Sequence, residues 1–200
     1  MLSPVPCAAR AATLGLAALL VLPALALALP AARPVGHADT VLRVAAVPSG
    51  RAEVKRIESA DGWTAYVSPE RKGELCYLAG SPAKSESAGL KRKPVYLLVT
   101  HNTADKTSDV VSFIAGYAFK SGSTAQVEVG GKSFTLFTKD DTAWSYDQAG
   151  DRAIVAAMRK AKHAVIRGTP AHGGVTTDTY ALTGFPRILA AIDKACRIKR

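Results

Sequence analysis

Alternation of apolar and polar positions dominates the chain after residue 61. Short runs rich in β-branched and aromatic residues recur between turn signals: Trp63 to Val67, Glu74 to Ala79, Val95 to Thr100, Asp109 to Tyr117, Gln126 to Val129 and Lys132 to Thr138. Successive side chains of a strand face opposite sides of a sheet, so this spacing predicts a mostly antiparallel β protein. Val95 to Val99 and Val110 to Ile114 are apolar at both parities, which predicts central strands covered on both faces. Gln126-Val127-Glu128-Val129 alternates up to Gly130-Gly131, and Ser133-Phe134-Thr135-Leu136 alternates away from it. Two glycines that tolerate positive φ predict a hairpin turn there.

The period changes to helical between Asp147 and Lys162, where Ile154, Met158 and Ala161 share a stripe with Val155 beside them. Asp147 or Asp151 can cap the start, and Arg159, Lys160 and Lys162 complement the dipole at the end. His163 to Arg167 and Thr176 to Leu182 read as two further strands. A second helix is predicted from about Pro186, since proline suits a first helical turn. On it Ile188, Ile192 and Cys196 repeat at i, i+4 and i+8, which turns Cys196 toward the core.

The opening of the chain reads differently. Residues 11–29 form an uncharged Leu/Ala run behind Arg10, followed by small-residue sites at Ala26-Leu27-Ala28 and Gly36-His37-Ala38. This predicts a secretory signal peptide over residues 1–38, an uncleaved anchor being the rival. Either way the rest is exported, and no stable membrane insertion is expected once the leader is gone. From Asp39 to Asp61 the charges are scattered and no apolar period is clear, so this stretch is expected to be a poorly ordered arm, or one edge strand at most. Residues 62–200 then make a single domain.

The compartment gives the cysteines their meaning. Of the three, Cys7 leaves with the leader, and Cys76 and Cys196 remain as one pair in an oxidising environment, so a disulfide between them is expected, two separate buried thiols being the alternative. No CxxC is present, which favours a staple over a redox role.

Charge adds a candidate surface. The 200 residues carry 26 Lys and Arg against 16 Asp and Glu, a net charge of +10, and loss of Arg10 and Arg33 with the leader leaves +8. The candidate anion-binding residues are Lys91, Arg92 and Lys93 in one run and Arg159, Lys160 and Lys162 at the end of the first helix, with Arg197, Lys199 and Arg200 in the tail. They could meet lipopolysaccharide phosphates, acidic peptidoglycan or a membrane surface; the plainer reading is a solvated basic face. Nucleic acid is not an expected partner, because the chain is exported and carries no recognition motif.

Catalytic chemistry finds little to stand on. His101, His163 and His172 form no i, i+4 pair and no short ligand cluster, so neither a metal nor a cofactor is expected. There is no GxSxG elbow, and an enzyme is not expected. A pocket in which His101 converged with acidic groups would reopen that question. Asp140-Asp141 is expected to be a loop in which one carboxylate bonds nearby backbone, and Trp144 beside it a largely buried packing residue.

Several segments together resemble a known family: CYLAG at 76–80, PVYLLVTH at 94–101, DVVSFIAGY at 109–117, FTLFTKDDTAW at 134–144 and TDTYALTGF at 177–185. They are similar to the exported bacterial family called invasion-associated locus B, over most of the chain after Asp61. The resemblance implies an immunoglobulin-like antiparallel β-sandwich with two short helices, one of them C-terminal, in the periplasm or cell envelope. It implies no catalytic residues. The function expected is that of a non-enzymatic envelope protein acting through its surface on an envelope or host-surface partner, the alternative being a basic module for anionic envelope polymers.

Overall fold

The computed structural model describes residues 53–200; the leader and residues 39–52 of the arm lie outside the described residues. In chain order the strands are β1 (Lys55–Ala60), β2 (Trp63–Glu70), β3 (Gly73–Gly80), β4 (Lys84–Glu86), β5 (Tyr96–Asn102), β6 (Thr107–Ile114), β7 (Thr124–Val129), β8 (Lys132–Lys139) and β9 (Thr142–Trp144). Helix α1 (Gln148–Met158) follows, then β10 (His163–Gly168), β11 (Thr176–Ala181) and helix α2 (Phe185–Cys196). All eleven strands belong to one antiparallel sheet in the order β1-β2-β3-β5-β6-β9-β8-β7-β10-β11-β4. The mostly β architecture with two short helices, one C-terminal, is the one expected, and the layers of the sandwich come from a single continuous sheet.

Register puts one residue of every second position on a common inner face. Cys76 opposes His101, Leu78 opposes Val99, Leu97 opposes Phe113 and Val99 opposes Val111. In the other half Ala164 pairs with both Val129 and Tyr180. All of these are buried. The outer positions Leu98, Val110 and Ile114 are only half-buried, so β5 and β6 are fully covered on one face, not on both as their composition suggested.

Trp63 joins the two ends of the sheet. β2 and β11 are not hydrogen-bonded neighbours, yet the indole Nε1 donates to the carbonyl of Ala181 at 2.8 Å. Its ring lies 6.0 Å from Tyr180 and 5.1 Å, edge to face, from Phe185. Opposite Trp63 stands Gly80, where a Cβ would come within 2.4 Å of the indole. Only glycine leaves room for that ring to lie flat across the neighbouring strand.

Local chemistry sets the element ends. Gly130 and Gly131, with φ of 58° and 73°, make the β7–β8 hairpin where the pattern placed it. Asp147 is the N-cap of α1, its side chain accepting from the Gly150 amide at 2.7 Å. The helix stops at Met158 with Arg159 as its C-cap, so Lys160 and Lys162 lie beyond it. Pro186 sits in the first turn of α2, and Ile188, Leu189, Ile192 and Cys196 form its buried stripe. Within the 39–61 segment, β1 is an edge strand paired with β2.

Candidate functional site

Cys76 and Cys196 are bonded, with a Cα–Cα distance of 6.0 Å across 120 residues. The bridge fastens the end of α2 to β3, as the stripe on α2 and the apolar strand around Cys76 required. Immediately beside it is a polar network. His101, cross-strand partner of Cys76, is fully buried. The β5–β6 register slips next to it, and in the slipped segment Asp109 takes a left-handed conformation at φ 62°. That turn aims the Asp109 amide at Nδ1 of His101, to which it donates at 3.0 Å. The ring proton therefore belongs on Nε2, which lies 3.0 Å from Oδ1 of Asp193 on α2.

Arg200 completes the network from the tail. Arg197, the C-cap of α2, adopts φ 57°, and this left-handed residue turns the chain back along the helix. The Arg200 guanidinium then donates to both oxygens of Asp109, at 3.0 and 2.7 Å, and to both oxygens of Asp193, at 2.5 and 2.8 Å. Burial pushes the Asp193 carboxyl up, but the hydrogen bonds from His101 and Arg200 and the charge of Arg200 outweigh it and leave the carboxyl below its ordinary range. A buried imidazole oriented by a carboxylate is the supporting half of an acid–base unit. Here His101 is closed to solvent and both ring nitrogens are engaged within the fold, so the convergence of His101 with acidic groups builds a structural clamp.

A second buried pair corrects the reading of Arg92. Its guanidinium makes a two-pronged contact with Asp178, at 2.9 and 2.7 Å, with side-chain exposures of 7% and 0%. Its Nε donates to the carbonyl of Ala115 at 2.9 Å, Tyr117 lies under its plane at 5.0 Å, and Ser85 bonds the same carboxylate. Arg92 is thus spent inside the protein, not presented with Lys91 and Lys93, which remain exposed on either side. Three charged residues in a row suggested one patch; the partner that buries the middle one is 86 residues away.

Two further expectations change. Trp144 is half-buried on the outer face, because Ala143 takes the inner position of β9. It stacks on Phe137 at 5.6 Å, and Phe137 in turn approaches the exposed Tyr146 at 5.5 Å. Asp140 occupies the turn before β9 at φ 53°, and Asp141 accepts from the Thr142 hydroxyl at 3.0 Å, so the side-chain bond goes to a hydroxyl instead of the backbone. His163 and His172 are exposed. Among the described residues no three His, Cys, Asp or Glu are grouped to hold a metal ion.

Arg159 and Lys160 gather with the tail cations and with Arg152 and Lys132, which the charge runs did not single out. Arg159 lines a cavity of about 240 Å³ between α1 and the tail, together with Arg152, Lys199 and Arg200. Lys160 lines an adjoining one of about 420 Å³ between α1 and the β7–β8 hairpin, together with Lys132. Ala156 belongs to the lining of both, so the two adjoin along the exposed side of α1 and together make a basic groove there. Lys162 follows, exposed, just past the helix end. Arg152 was legible in principle: Arg152, Ala156 and Arg159 fall at i, i+4 and i+7, one exposed helix face.

A family model described as Invasion associated locus B (IalB) protein matches residues 63–193. Compared with curated proteins and with solved structures, the chain matches none.

Proposed function

This chain belongs to the invasion associated locus B family, and from that premise we propose that it is an exported, non-enzymatic protein of the cell envelope that acts through its outer surface, in envelope maintenance or in contact with a host. The observation that carries the reading is the disulfide between Cys76 and Cys196, the two cysteines that remain when a leader over residues 1–38 is removed. A covalent staple of this kind suits an oxidising compartment. Two polar networks of the interior support a surface role, since His101, Asp109, Asp193 and Arg200 in one and Arg92 and Asp178 in the other spend their charge or hydrogen bonds on one another. What remains for another molecule is the outer face: the aromatic cluster of Phe137, Trp144 and Tyr146, and the basic groove across α1.

Cross-linking in intact cells followed by capture of the tagged chain from the periplasmic and membrane fractions tests this. The expected result is a cross-linked envelope or surface partner. Recovery of the chain solely from the cytoplasm would overturn it.

A second reading, a basic module for anionic envelope polymers, is favoured by the groove, whose cations come from α1, the β7–β8 hairpin and the tail. Salt-sensitive retention on lipopolysaccharide or peptidoglycan sacculi separates the two.

A further inference from the structure

The groove across α1 is more specific than net charge. Five of its cations, Arg152, Arg159, Lys160, Lys132 and Lys199, are exposed and have no carboxylate within ion-pair distance among the described residues. The one carboxylate in the lining, Asp109, is buried and paired with Arg200, which it shares with Asp193. Arg152 and Arg159 are seven residues apart on one helix, which places them about 10 Å apart along its axis, two turns along the same face. The cavity that both arginines line has a small apolar floor, made by Ala156 with Ile198 beside it. Guanidinium groups bind phosphate through two parallel hydrogen bonds, so each arginine can take one phosphate while the lysines add charge around it.

We infer that this groove binds the phosphorylated headgroup of an envelope glycolipid, one carrying two phosphates on a sugar scaffold as lipopolysaccharide does, with the phosphates at Arg152 and Arg159 and the scaffold over Ala156 and Ile198. The inference rests on the reading of the chain as an envelope protein. Charge complementarity selects an anion, and the two-turn separation with an apolar floor between favours two discrete phosphates over an evenly spaced row of carboxylates.

The test measures binding of the disulfide-bonded exported protein to lipopolysaccharide micelles, to peptidoglycan sacculi and to vesicles of neutral phospholipid, at low and at physiological salt. Binding to the micelles that weakens with salt, and little to neutral vesicles, is expected. The double variant R152Q/R159Q should bind roughly thirtyfold more weakly, the loss expected for two cations at an anionic surface. K91Q/K93Q, with the same loss of charge elsewhere, should bind like the unaltered protein. Both pairs are exposed, so unchanged melting verifies that the variants are folded. Equal weakening by the two double variants would mean that net charge alone drives binding and would overturn the inference, as would salt-sensitive binding confined to peptidoglycan sacculi. If the exported protein fails to bind the micelles, the groove assignment falls while the envelope reading stands; a chain retained in the cytoplasm removes the envelope reading itself.

Discussion

Arg92→Ala is the substitution whose outcome depends most on the three-dimensional arrangement. In a surface patch the change would be nearly silent for stability, because substitutions away from caps, cores and networks fall within about 0.5 kcal/mol. In this fold it leaves the Asp178 carboxylate wholly buried, with the Ser85 hydroxyl as its remaining side-chain partner, and frees the Ala115 carbonyl. Removing one partner of a buried ion pair costs about 3–5 kcal/mol, most of it the penalty on the stranded charge. For a domain of this size about 1 kcal/mol moves the melting temperature by roughly 2–4 °C, so a fall of roughly 6–20 °C is expected in thermal denaturation followed by circular dichroism. The companion double variant R92M/D178L removes both charges and should recover much of the loss, since paired apolar replacement of a buried bridge is often neutral or better. An Arg92→Ala protein that melts with the unaltered one but binds anionic micelles more weakly would refute the buried assignment.

Replacing both bridged cysteines, C76S/C196S, should cost about 2–5 kcal/mol in urea denaturation, because the loop that the bridge closes spans 120 residues; a loss below about 0.5 kcal/mol would count against the staple. Asp193, held below its ordinary range, contributes stability that is complete above the unfolded carboxyl value of about pH 4 and lost as pH falls through its lower folded value. Asp193→Asn should therefore lower the melting temperature at pH 7 and flatten the acid limb of its pH profile, whereas an unchanged acid limb would contradict the network. Trp63→Ala should cost about 3–5 kcal/mol and Trp144→Ala distinctly less, because the first ring is sealed in the core and the second lies half-buried outside it; the reverse order would contradict the register of β9. Asp147→Ala should cost about 1 kcal/mol as the loss of a helix cap, measured by the same denaturation, and Asp147→Ser should restore it.

What the sequence reveals about this fold divides by range. The hairpin at Gly130-Gly131, the Asp147 cap and the stripe on α2 are local: a few neighbouring residues determine each, and each appears where the pattern places it. β4 and β9, three residues each, carry too few positions for alternation to register, and β4 is exposed throughout. The absence of β9 from the pattern explains the misplacement of Trp144, since one residue of parity decides whether the ring or Ala143 faces inward. The buried ion pairs were invisible for a different reason. Arg92 and Asp178, or His101 and Asp193, stand 86 and 92 residues apart, and nothing in either stretch announces the other. The disulfide is as distant but was legible, because the leader that the sequence predicts would take Cys7 and leave two cysteines, and the helical period says which way the second one points.

Intact-mass measurement of the protein recovered from the envelope fraction, before and after reduction, tests the central account most directly. The account predicts a chain that begins between Leu29 and Asp39, gains the mass of two hydrogens on reduction, and yields one cross-linked peptide joining Cys76 to Cys196. A chain that keeps Arg10 and takes up alkylating reagent at both cysteines without reduction would contradict both the export and the staple on which the proposed function stands.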